Sequence, residues 1–161
     1  MTGNGVEKTF NVSVCIWDPT EHKLFLVQRH GDHGHLWGLP GGGVHTDIEE
    51  EHLAAARREV KEETLMTPDH YSLDRVLDDP DYLDWGIDID HGKVFMLAIL
   101  TKAFPTPDYS QTPPEDHDIK GGDWIALEDY LGKWQFLVPE AHRCAIRHFL
   151  SKIAKSWTGA E

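Results

Sequence analysis

Residues 39–66 read LPGGGVHTDIEEEHLAAARREVKEETLM: three glycines at 41–43, an acidic run, then Arg58, Glu59, Glu62 and Glu63 in the order R-E-x-x-E-E. The spacing predicts a glycine turn leading into a helix. Residues three and four apart are neighbours on a helix, so Glu59, Glu62 and Glu63 fall on one side, within about 60° of their mean direction. Two unit charges about 6 Å apart repel by roughly 3 kcal/mol at an effective dielectric near 20. A hard divalent cation, Mg²⁺ or Mn²⁺, relieves that repulsion and serves as a tool for handling phosphate. A solvated acidic face is the plain reading of a bare E-x-x-E-E; the surrounding residues decide between the two.

Those residues resemble the Nudix box, G-x5-E-x7-R-E-U-x-E-E-x-G-U with U aliphatic. Glu50, seven intervening residues, Arg58, Glu59, Val60, Lys61, Glu62, Glu63 and Thr64 match in register, and the LWGLPGG stretch upstream is also typical of that family. Two positions depart from it. The family glycine falls at Val44 by counting back from Glu50, so the loop is two residues longer if Gly42 is the equivalent. The late glycine is replaced by Leu65, followed by Met66. The first change lies in a loop, where length varies freely; the second removes a helix-terminating glycine but no carboxylate.

The resemblance implies an α/β/α sandwich with a mixed β-sheet, and an enzyme that cleaves a nucleoside diphosphate linked to a further group by attack of water on the pyrophosphate. Carried over residue by residue, Glu59, Glu62 and Glu63 correspond to metal ligands, with Glu50 as an auxiliary ligand or ordering group. Arg58 corresponds to the arginine that orients the acidic side chains. Gly41, Gly42 and Gly43 let backbone approach a metal or phosphate with no side chain in the way; a plain tight turn is the other reading.

Family members often place a general base in a loop before the last sheet strand. That loop here holds Glu115, Asp116, His117 and Asp118, with Glu115 favoured, His117 its rival, and a merely solvated acidic loop equally open. His30, His33 and His35 suggest a pocket border rather than a transition-metal site, since no fourth ligand is identified. Tyr82, Trp85 and Phe95 are the aromatic candidates for stacking on a base. Pro80 and Tyr82 each match a different family subgroup, so the substrate stays open among ADP-ribose-like compounds, dinucleoside polyphosphates, nucleoside triphosphates and nucleotide sugars.

Composition narrows the rest. A length of 161 residues suits a single Nudix domain over 1–161, with the box at about 42–66. A net charge of -13 argues against long nucleic acid, whose phosphates are held by cationic surfaces. A small nucleotide remains compatible, because a bound cation inverts the local field. Cys15 and Cys144 read as small buried hydrophobes, not as a disulfide framework. The start MTGNGVEKTF is neither basic nor apolar, and no run of eighteen apolar residues occurs, so a cytoplasmic protein with no membrane contact is expected; many relatives pair as homodimers.

Strands are expected over residues 8–18 and 23–29 around a turn at Asp18 to His22, near 71–77, over KVFMLAIL as the central strand, and near Gly122 to Leu127. The box helix takes Asp47 or Thr46 as N-cap, with Leu53, Ala56 and Val60 as an apolar stripe turned away from the carboxylates. A last helix follows Pro139, marked by Cys144, Ile146, Phe149, Leu150 and Ile153 through about Lys155. Two functional classes follow: a Mg²⁺-dependent hydrolase, or a catalytically silent nucleotide-sensing module; an isomerase on the same fold is weaker. On the repulsion argument, Glu62→Gln and Glu63→Gln are both expected to lose activity yet melt no lower.

Overall fold

The structure, a computed structural model, describes residues 11–30, 37–43, 52–77, 93–115 and 118–158. Glu50, Pro80, Tyr82, Trp85, His33, His35, Asp116, His117 and the N-cap candidates Thr46 and Asp47 lie outside the described residues.

Strands β1 (Asn11–Asp18) and β2 (Lys23–Arg29) form a hairpin. Its turn is built by Asp18, whose carboxylate accepts from the Thr20 and Glu21 N–H groups at 2.8 and 3.1 Å, a short polar side chain substituting for a backbone acceptor. The hairpin is paired only at its closed end, Trp17 with Leu24 and Asp18 with Lys23. Beyond that the strands diverge. Into the fork between them run β3 (Trp37–Gly38), which pairs with β2, and β4 (Gly41–Gly43), which pairs with β1.

Helix α1 (His52–Thr64) follows, then β5 (Tyr71–Leu77) and β6 (Lys93–Leu100). The apolar run KVFMLAIL is interior, as its pattern implies: β6 lies parallel to β1 from Asn11↔Lys93 to Trp17↔Ile99 and antiparallel to β5. Strand β7 (Ile119–Ala126) runs antiparallel to β2 and begins earlier than its sequence suggested. The sheet is mixed, in the order β3-β2-β1-β6-β5, with β4 on β1 and β7 on β2. Helix α2 (Leu127–Gly132), which the sequence did not announce, and a 3-10 turn at Trp134–Leu137 lead into α3 (Glu140–Thr158).

Alternation along β1 divides the core. Val12, Val14 and Ile16 meet Ala55, Ala56 and Val60 of α1 on one face; Cys15 and Trp17 meet Ala145, Ile146, Phe149 and Ile153 of α3 on the other. Three layers result, the α/β/α sandwich. On α1 the expected stripe is wrong in detail: Leu53 is 40% exposed, and Ala55 is buried in its place. The inward face is rotated toward Glu59 and Glu63, which are themselves buried, so Leu53 falls on its rim. Cys15 is buried and Cys144 half-buried, and neither is in a disulfide. No described helix is long and apolar enough to cross a membrane.

Candidate active site

The glycines 41–43 are a strand rather than a turn, and the reason is what packs on each side. Strand β4 lies between β1 and α1. A Cβ on Gly41 would run into Val12 O, and one on Gly42 would come within 2.5 Å of Glu59 Oε1. The bare backbone therefore lets the sheet close on one side and a carboxylate settle on the other.

Two arginines fasten the helix to this strand. Arg58 Nη2 donates to Gly43 O at 2.8 Å, while its Nη1 reaches Glu59 Oε1 at 2.9 Å and both Glu62 oxygens at 3.4 Å. Arg29, the last residue of β2, gives Nη2 to Gly41 O at 3.0 Å and approaches both oxygens of Glu63 at 3.3 and 3.4 Å. The Gly41 N–H adds a 3.0 Å bond to Glu63 Oε1. Glu63 is 0% exposed and Glu59 6%, whereas the Glu62 side chain is 31% exposed.

This arrangement alters the electrostatic expectation. Three carboxylates do share one region, but two guanidinium groups already offset most of their charge, so the repulsion is largely answered within the protein. Among the described residues no three acidic, His or Cys side chains converge closely enough to grip an ion. The chemistry of the donors nonetheless suits a hard cation: carboxylate and carbonyl oxygens only, beside a glycine whose missing Cβ leaves the space that Glu59 occupies. Glu59, Glu62 and Glu63 are the described residues that would hold it.

The proline-rich loop closes over the end of α1. Tyr109 donates its hydroxyl to Glu63 O at 2.9 Å, passing close to Gly122, where a Cβ would sit 2.9 Å from the Tyr109 hydroxyl oxygen. Burial pushes the Tyr109 phenol well above its ordinary value, with the charges of Glu63 and Asp123 adding to the effect, so it remains a donor. Trp124 Nε1 anchors the same loop on Phe104 O at 2.6 Å. On the opposite side, His142 of α3 accepts the Leu39 N–H on Nδ1 at 3.0 Å, fixing the entry to the glycine strand.

Glu115 is exposed and lies four residues before Ile119, which pairs with Arg29. His30 belongs to the same seam, its N–H donating to Asp118 O at 2.7 Å. Phe95 is a core residue, 1% exposed and edge-on to His142, so it offers no face to a base. Leu65, at the box's late glycine, adopts φ 70°, the left-handed conformation that glycine takes freely. Arg29, Tyr109 and His142 are the residues sequence reasoning missed; the one signal was a lone arginine closing an apolar strand.

An α/β/α sandwich whose helix presents R-E-x-x-E-E to a strand of glycines is the architecture of the Nudix class. The chain belongs to the NUDIX domain family, whose model matches residues 7–149. No curated protein sequence matches it significantly. Among solved structures, a C. elegans Ap4A hydrolase binary complex superposes with a TM-score of 0.64 at 20% identity, covering 89% of this chain and 98% of that one. The NUDIX domain of Shewanella oneidensis NrtR complexed with ADP ribose gives 0.66 at 18% identity, covering 95% and 93%. A bifunctional NMN adenylyltransferase/ADP ribose pyrophosphatase from Francisella tularensis, complexed with AMP and Mn ion, gives 0.62 at 22% identity; the match covers 92% of this chain but 43% of that protein. At these identities the likeness is one of fold.

Proposed function

We propose that this protein is a Nudix pyrophosphohydrolase acting on a nucleoside diphosphate linked to a second group. The observation that carries the proposal is the box helix held against β4, with Arg58 joining Glu59, Glu62 and Gly43 O in one network. When bound, Mg²⁺ or Mn²⁺ would neutralise the phosphate oxygens and make water nucleophilic at neutral pH. Glu59, Glu62 and Glu63 would hold it, with Glu50 as auxiliary; Arg58 keeps the Glu59 and Glu62 carboxylates oriented, and Arg29 that of Glu63. Glu115 would take the proton of the attacking water. The backbone of Gly41, Gly42 and Gly43, with Tyr82 and Trp85, would receive the nucleotide.

The substrate class is a small nucleotide, in keeping with the Ap4A hydrolase and the ADP-ribose-bound domain that share the fold. The reading treats 1–161 as one Nudix domain acting in the cytoplasm, with a homodimer as its assembly. A silent nucleotide-sensing module is the second reading, favoured by the arginine pairing that already offsets the acidic cluster.

The test is incubation of purified protein with Mg²⁺ or Mn²⁺ and a panel of ADP-ribose, dinucleoside polyphosphates, nucleoside triphosphates and nucleotide sugars, with products separated by chromatography. Cleavage of a pyrophosphate bond that Glu59→Gln abolishes is the expected result. Tight retention of a nucleotide without turnover under either metal would assign the sensor instead.

A further inference from the structure

Across the sheet from α1, helices α2 and α3 enclose a cleft of about 340 Å³, at the small end of the roughly 300 to 1,000 Å³ typical of ligand pockets. Leu127, Leu150 and Ile153 give it apolar walls, Tyr130 contributes its ring, and Arg143 and Arg147 line it as well. The two arginines are one helical turn apart on α3, where like charges destabilise each other. Neither takes part in an ion pair among the described residues. Among the described residues Arg143 has only a long contact, 3.4 Å, to Gln135 O.

The chain carries 28 Asp and Glu against 15 Lys and Arg, yet two arginines outside any ion pair among the described residues adjoin one apolar cleft. Beside them the Tyr130 hydroxyl is buried without a hydrogen-bond partner among the described residues. Desolvation raises its pKa, while Arg143 and Arg147 pull the other way, placing the phenol within the field of both guanidinium groups. Apolar walls with an unmatched pair of forked donors fit a molecule that has an apolar body and one anionic head.

We propose that the α2–α3 cleft is a second binding site, separate from the carboxylate helix, for a small amphiphilic carboxylate whose head is held by Arg143 and Arg147. The probe is sodium octanoate titrated into the full chain by calorimetry and by amide chemical shifts, with octylammonium as the charge-reversed control. Saturable octanoate binding below about 1 mM is expected, with shift changes confined to α2, α3 and the strands beneath them, and none for octylammonium. Arg143→Gln combined with Arg147→Gln should weaken binding at least about tenfold. Arg147 is exposed, so Arg147→Gln alone keeps the test valid should the double variant unfold, and a loss of about threefold or more is expected from it. Absence of saturation, equal binding of octylammonium, or unchanged affinity in Arg147→Gln would each overturn the proposal.

Discussion

Glu62→Gln and Glu63→Gln, alike on sequence, separate on structure. Glu63 is enclosed, and each of its oxygens faces donors: Oε1 meets Gly41 N–H and Arg29 Nη2, and Oε2 meets Arg29 Nη1. Whichever oxygen becomes the amide NH₂ in glutamine therefore points donor at donor. Removing one member of a buried ion pair costs about 3 to 5 kcal/mol; the Arg29 side chain is 37% exposed and rehydrates, which reduces the expectation to about 2 kcal/mol. For a domain of this size that is a fall of roughly 4 to 8 °C in melting temperature. Glu62 makes only 3.4 Å contacts to Arg58 from a partly exposed position, so its replacement should cost about 0.5 kcal/mol or less. Calorimetric melting in EDTA, where no metal contributes, measures both. Melting of Glu63→Gln within a degree of Glu62→Gln would refute the reasoning and restore repulsion as the governing term.

Other positions give further tests. Gly42→Ala should push the Glu59 carboxylate aside by about 1 Å, lowering turnover by around a hundredfold with modest loss of stability, whereas Gly41→Ala meets β1 backbone and should cost 3 kcal/mol or more; equal melting of the two variants would contradict the assignment. Leu65→Gly should be more stable than Leu65→Ala by about 1 kcal/mol, inverting the usual helical order, because only glycine relieves the left-handed backbone; chemical denaturation checks the sign. Burial pushes the Cys15 thiol from 9.0 to about 12 and the Tyr71 phenol from 10.0 to about 12. The unfolded chain thus releases these protons first, and stability present below pH 9 is lost as pH rises toward 12, at about 1.4 kcal/mol per unit for each group. Cys15→Val should remove the part of that decline between pH 9 and 10 in a melting series, and an unchanged slope would count against it.

Much of the fold was legible because it rests on local patterns. Residues 8–18 and 23–29 read as strands either side of a polar turn, and the uninterrupted KVFMLAIL marks an interior strand; β1 over Asn11–Asp18, β2 over Lys23–Arg29 and the interior β6 are as observed. Helix α2 was not legible, since LEDYLG is six residues long and too short for a period to register. The stripe on α1 was misjudged for a different reason. Pattern reading assigns carboxylates to water, and here two of them are held inside by hydrogen bonds to β4 and to arginine.

The acidic half of the site is local in sequence and was therefore visible; its cationic half is not. Arg29 lies 34 residues from Glu63, Tyr109 lies 46 residues away, and His142 is 103 residues from Leu39. Each partnership exists only because the β1–β2 hairpin opens, admits the glycine strand into its fork, and so brings the end of β2 beside the end of α1. The glycines carry two signals at once: a sequence reader sees flexibility, but their structural use is proximity, a backbone thin enough for β1 on one side and Glu59 on the other. It follows that charge balance in this site is a property of topology. A repulsion estimate made along one helix has the right acids and the wrong sum, because the compensating arginine arrives from a strand that only the folded sheet places there.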